Sequence, residues 1–161
     1  ECCAPTYAAA MAKVKPALRS HLGDHGRSAH KGPMNKVLLV AVGGAAGSVA
    51  RYLVGTAALR WIGPGWPWGT LTVNIVGGFL MGVVTGWLAF RSAGQQETFR
   101  VLLATGVLGG FTTFSAFSLE TALMIEKRAY GSAFTYTAVS VVFAVTALFA
   151  GLLLARRMFA A

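Results

Sequence analysis

The stretch Thr105-Gly106-Val107-Leu108-Gly109-Gly110-Phe111-Thr112-Thr113-Phe114-Ser115-Ala116-Phe117-Ser118-Leu119-Glu120 decides how this chain is read. No charged residue lies between Arg100 and Glu120, so the stretch reads as embedded in a membrane. Yet it holds paired glycines, paired threonines, two serines and closely spaced phenylalanines. A helix that served only as an anchor has little use for Gly-Gly followed by Thr-Thr at mid-span. Gly109-Gly110 is the expected break in that helix. Non-helical backbone at membrane depth persists only where protein buries it or where it lines a watery path. Each of these residues alone fits ordinary helix packing, because Gly is frequent in membrane helices and Ser and Thr cross-bond their neighbours. The cluster as a whole predicts a site.

Composition agrees with a membrane domain. Of the 161 residues, 55% are hydrophobic and only 12% charged, which suits one small membrane domain and suits a soluble globule poorly. The net charge of +9 does not point to nucleic acid, because of how it is distributed. Lys13, Lys15, Arg19, Arg27 and Lys31 lie in the first 33 residues, and most other cations flank apolar segments, where headgroups and water meet them. Cys2 and Cys3 are the only cysteines, so the fold has no disulfide framework.

Working outward, residues 1–33 are polar and basic and carry all three histidines, His21, His25 and His30. They are expected to be a disordered or non-native tail. His21 and His25 have i, i+4 spacing, but two ligands without a third favour a solvated tail over a metal site. Residues 34–161 form the expected membrane domain, with apolar segments near 37–61, 68–90, 99–125 and 132–154. Each approaches the roughly 20 residues that a helical span needs. Gly63-Pro64-Gly65 and Pro67 separate the first two, and Glu126-Lys127-Arg128 ends the third. Trp61, Trp66, Trp68 and Trp87 fall near segment ends, as an aromatic belt requires.

Small residues recur at close-packing spacing: Gly43/Gly47, Gly78/Gly82/Gly86 and Gly106/Gly110. Lipid supplies no hydrophobic drive for helix association, so backbones must approach closely. The stripes predict a compact bundle completed by a second copy. With four spans both termini share a side, which carries Lys36, Arg91, Arg100, Arg156 and Arg157 against Arg60, Lys127 and Arg128 opposite. That slight bias permits insertion both ways round, and so an antiparallel pair; the basic tail would weigh against it.

Several polar residues lie at depth. The uncharged run before Arg51 is 14 residues, roughly 21 Å of helix, shorter than the hydrocarbon core. Arg51 is either a snorkelling side chain at a helix end or a cation that draws anions to a pore mouth. Thr70 and Asn74 share a face. Asn74 either bonds a neighbouring helix or offers its amide donors to an anion. Tyr136 and Ser140 share a face of the fourth helix, with Thr137 alongside. Donors without fixed charges favour a small anion and let it leave. Phe114 and Phe117 fit ordinary packing, or a lining of positive ring edges. Glu120 either pairs with a cation or tunes the pore mouth.

The run Gly109-Gly110-Phe-Thr112-Thr113-Phe114-Ser115-Ala-Phe117-Ser118 resembles the signature of the Fluc/CrcB family of small fluoride channels, and so do Gly47-Ser-Val-Ala-Arg51-Tyr52 and Gly69-Thr70-Leu-Thr-Val-Asn74. The likeness covers about Met34 to the end. It implies an all-α integral membrane fold, with four transmembrane helices, a broken third helix and an antiparallel dual-topology homodimer in a bacterial inner membrane. It implies a passive, fluoride-selective path that lowers fluoride toxicity. Asn74, Phe114, Phe117, Tyr136, Ser140, Thr70 and Ser115 would line the pore, and Arg51 the vestibule. One structural Na+ per dimer would sit on the carbonyls of Gly109 and Thr112 from both copies. Ala144 stands where the fourth-helix polar track of the family continues with a hydroxyl, so the track is expected to be shorter here.

Two rivals remain at this point. A small dual-topology drug/proton antiporter needs a carboxylate deep in the membrane, and the first two helices carry none. An accessory subunit would conduct nothing. An enzyme is not expected, since every histidine lies in the tail and no Ser/His/Asp, HExxH or phosphate-loop pattern occurs.

Overall fold

Helix α1 runs Pro33–Trp61 and α2 runs Trp68–Leu88. The third span is built in pieces. Its first half, α3, is an α-helical turn Ala93–Phe99, a π-helical stretch Arg100–Leu108 and a last α-helical turn Gly109–Phe111. Its second half, α4, is Phe114–Glu126, and α5 is Tyr130–Phe159. The computed structural model describes residues 33–90 and 93–159. The basic tail with its His21/His25 pair lies outside the described residues. Among the described residues every regular element is helical, and four stretches are long and apolar enough to cross a membrane: Met34–Trp61, Trp68–Leu88, Gln96–Glu126 and Tyr130–Phe159. The 21 residues of α2 rise about 31 Å, matching a hydrocarbon core of about 30 Å. Helix α1 outruns its apolar segment at its N-terminal end and α5 at both ends. Their flanks carry Lys36, Arg156 and Arg157, good helix formers that reach the interface on flexible stems.

The turns are set by local chemistry. Gly63 has φ +96°, a left-handed conformation that L side chains avoid, and Pro64 and Pro67 withhold the backbone N–H groups a helix would need. Helix α2 therefore starts afresh at Trp68. At the other turn Arg128 has φ +57° and closes α4, with the Ala129 N–H donating to Met124 O at 2.9 Å.

The expected helix break is displaced. Gly109 has φ −63° and ψ −37°, and both glycines stay helical. The extended residues are Thr112 (φ −79°, ψ 158°) and Thr113 (φ −149°, ψ 118°). The physical reason is side-chain competition for the backbone. The Thr112 hydroxyl donates to Leu108 O at 3.0 Å, and the Thr113 hydroxyl accepts from Ala116 N–H at 3.2 Å as the N-cap of α4.

The glycine stripes are used up within this one chain. A Cβ on Gly47 would strike the Val107 carbonyl of α3, and one on Gly110 would come 2.5 Å from the Gly44 carbonyl. Helices α2 and α5 meet the same way, through Gly82 on the Leu148 carbonyl and Gly151 on the Phe79 carbonyl. These stripes therefore do not call for a second copy. The buried core is thin: Leu71, Val73, Leu88, Leu108, Ala133, Tyr136 and Ala155. Large side chains face outward instead, including Phe114 at 79% and Phe134 at 77% exposure. At the terminal end of the bundle Lys36 and Glu97 form an ion pair at 2.7 Å that ties α1 to the start of α3.

Gly47→Ala is expected to destabilise the bundle by about 1–3 kcal/mol, because the new methyl meets fixed backbone. Gly44→Ala, where a Cβ meets nothing within 4 Å, should be neutral or slightly stabilising. Thermal unfolding of the two variants in detergent checks the contrast; equal behaviour would refute the packing argument.

Candidate functional site

The interruption at Thr112-Thr113 leaves backbone groups that lipid cannot satisfy, and Asn74 of α2 takes them. Its Nδ2 donates to Thr113 O at 3.0 Å, and its Oδ1 accepts from Thr113 N–H at 2.9 Å. One side-chain amide thus pairs both groups of one peptide residue. That leaves one amide proton of Asn74 uncommitted by this pair, not two. Because Thr113 has a single N–H, the carbonyl of Gly109, its usual helical acceptor, is left without that donor. Arg51 approaches from α1, its Nη1 donating to Thr112 O at 3.3 Å. Helix α1 continues ten residues past Arg51 to Trp61, so Arg51 is no helix-end residue, and it is half-buried in the bundle. The snorkelling alternative at a helix end does not describe it.

Two cavities flank the Asn74–Thr113 pair. One, of about 440 Å³, is lined by Arg51, Thr70, Thr113 and Ser115. The other, of about 370 Å³, is lined by Asn74, Thr112, Phe114, Phe117 and Ser140. Thr113 belongs to both, so the extended residue is the wall between them. Ser140 is 5% exposed and its Oγ has no hydrogen-bond partner among the described residues. A buried hydroxyl without a partner is costly, which makes it a donor looking for a ligand. Gly109 lines neither cavity; it is exposed.

Tyr136 is fully buried and also lines neither. Its hydroxyl donates to Glu120 Oε2 at 2.7 Å, and the Thr70 hydroxyl donates to Glu120 Oε1 at 2.7 Å. Glu120 is thus held by two neutral hydroxyls from α2 and α5 and bonds no cation among the described residues. The i, i+3 spacing of Phe117 and Glu120 was visible in the sequence, but the partners from other helices were not. The Thr113–Ala116 cap spacing was also available and would have placed the interruption correctly.

Fold and site together define a multi-pass membrane protein whose third span is interrupted beside two largely apolar cavities that each carry a few polar groups. The family described as CrcB-like protein, Camphor Resistance (CrcB) matches residues 38–152, and the chain belongs to that family. It is 71% identical over 127 residues to the "Fluoride-specific ion channel FluC" of Caulobacter vibrioides (strain NA1000 / CB15N), covering 79% of this chain and 100% of that protein. The protein of the same name from Phenylobacterium zucineum is 68% identical over the same shares, and that from Agrobacterium fabrum is 51% identical over 78% of this chain and 100% of its own length.

Asn74→Ala removes both partners of Thr113 at once. The expected loss is about 1–2 kcal/mol in thermal stability, since interhelical bonds in lipid are individually modest. Amide exchange at Thr113 should accelerate well beyond that of residues in α5. Unchanged protection at Thr113 would show that the pair does not hold the interruption.

Proposed function

We propose that the chain is a fluoride-selective channel that passes F− passively out of the cytoplasm, and that it is not an enzyme. The observation that carries this reading is the cavity lined by Asn74, Phe114, Phe117 and Ser140, where neutral donors and aromatic rings meet and no charged residue is among the lining. The relatives' name, "Fluoride-specific ion channel FluC", supports it. Fluoride enters a cell as neutral HF and dissociates in the more alkaline cytoplasm. The membrane potential, worth about 2.3 kcal/mol per charge per 100 mV, then drives the anion out through any selective path. Arg51, facing the companion cavity with Thr70 and Ser115, supplies a positive field that raises the anion's local concentration.

The working assembly in this proposal is an antiparallel homodimer in a bacterial inner membrane, with the third helix of each copy broken and the two breaks crossing. Support comes from Phe114, which lines the ion cavity yet is 79% exposed on one subunit, and from the exposed Gly109. A structural Na+ fits Gly109, whose carbonyl lacks its helical donor. It fits Thr112 less well, because that carbonyl already faces the Arg51 guanidinium. When bound, the ion would supply a fixed positive charge near the path. The antiporter alternative is not favoured: the carboxylate of Glu120 is engaged at both oxygens by hydroxyls.

Fluoride efflux from liposomes tests the proposal. Wild type should release fluoride far faster than chloride and without response to a pH gradient. Phe117→Ile and Asn74→Ala should each slow release by at least about tenfold, one lost contact's worth of stabilisation. Wild-type liposomes that retain fluoride would refute the function; unchanged flux in both variants would refute the pore lining. Replacing Na+ by a large organic cation should lower the thermal stability of the dimer if the ion is structural, and equal stability in both salts would remove it from the proposal.

A further inference from the structure

The loop between α1 and α2 contributes a ring, Trp66, to which the proposed pore gives no role. Trp66 packs edge-on against Tyr136, with centroids 5.6 Å apart and planes at 72°. It also meets Trp68 at 5.2 Å. Tyr136 in turn lies 5.3 Å from Phe117, and Phe117 5.6 Å from Phe114. Five rings therefore run in unbroken contact from the loop to the cavity beside the interruption. Each spacing falls in the range where aromatic pairs attract beyond simple burial.

A second observation is independent of the rings. Trp66 and Pro67 stand between two cavities at this end of the bundle. The outer one, of about 420 Å³, reaches Leu123, Met124 and Lys127. The inner one, of about 190 Å³, reaches Gly55, Gly69 and Thr70. Both touch Glu120. The inner cavity shares Gly55, Gly69 and Thr70 with the Arg51 cavity, so three cavities follow one another from the loop to the interruption. Trp66 sits at the junction of the first two.

We infer that Trp66 is a positioning residue for anion selectivity, acting through Tyr136 on Phe117 and Glu120; the inference rests on the pore lining proposed above. Two physical effects combine. The indole packs against the Tyr136 ring and resists its displacement as a whole, which keeps the hydroxyl on Glu120 and the ring in its tilted contact with Phe117. The indole also fills the junction between the outer and inner cavities. Without it the two would merge, and water and larger anions would reach the Thr70–Glu120–Tyr136 group. A small, strongly hydrated anion is selected by donors and ring edges that cannot relax around a bigger one. Loosening the ladder therefore acts on discrimination before it acts on assembly.

The test compares fluoride and chloride efflux from liposomes holding the full chain as wild type, Trp66→Ala, Trp66→Leu or Trp66→Phe, with each elution volume in detergent recorded. Trp66→Ala and Trp66→Leu should lose about tenfold in fluoride-over-chloride discrimination, the size of one aromatic contact, while eluting as wild type does. Trp66→Phe, which keeps a ring in the ladder, should stay within about threefold of wild type. Wild-type discrimination in Trp66→Ala would overturn the inference, and so would a Trp66→Phe variant as unselective as Trp66→Ala. Trp66→Leu keeps apolar bulk in the loop and carries the test if Trp66→Ala does not fold. Failure of both to fold would also overturn it, since Trp66 would then be a folding residue. Wild-type protein that releases no fluoride refutes the pore lining itself and is thereby told apart from these outcomes.

Discussion

One amide and one peptide unit hold this protein's third span open. Two hydrogen bonds join the Asn74 side chain to the N–H and carbonyl of Thr113. In water such a pair would be replaceable at little cost. At membrane depth no solvent stands ready, and an extended residue there must find its partners within the protein. Everything nearby follows from that constraint. The carbonyl of Gly109 loses its donor, Thr112 O turns to Arg51, and Thr113 becomes the wall between two cavities.

Helix α2 comes close enough to make that pair where Gly77 faces the Thr112 methyl and the Phe111 ring. Elsewhere Gly47 lies on Val107 backbone and Gly82 on Leu148 backbone, so α1 meets α3 and α2 meets α5 at near-minimal distance. The same economy of side chains leaves the core thin and the outer face rich in exposed aromatics. A subunit built this way has spent its small residues internally. Its large apolar surface, which includes Phe114, is what a lipid or a second copy would meet.

Charge is handled with restraint. Glu120 is the one acid between Glu97 and Glu126, near the two ends of the third span, and two neutral hydroxyls hold it, from Thr70 and Tyr136. Arg51 spends part of its charge on a carbonyl, not on a carboxylate. The larger flanking cavity keeps a cation nearby, and its neighbour has hydroxyls, an amide, aromatic rings and aliphatic side chains but no charged residue. An anion would thus be attracted by one compartment and released by the other, the balance that conduction requires.

Much of this was legible before any coordinates. Four spans, their ends and their turns follow from hydropathy, Pro, Gly and flanking charge, because lipid imposes length and polarity on a chain directly. Residue types also flagged Arg51, Asn74 and Ser140, since polar groups at depth need a reason. The glycine pair misled about the interruption: small residues mark close approach as readily as they mark a break, and here Gly110 abuts Gly44 while the threonines end the helix. What only the tertiary structure decided is who satisfies whom. That Asn74 reaches Thr113, that Thr70 and Tyr136 converge on Glu120, and that Trp66 touches Tyr136 are all facts about helix rotation and crossing. Sequence spacing fixes which residues share a face of one helix; it says nothing of which neighbour that face will meet.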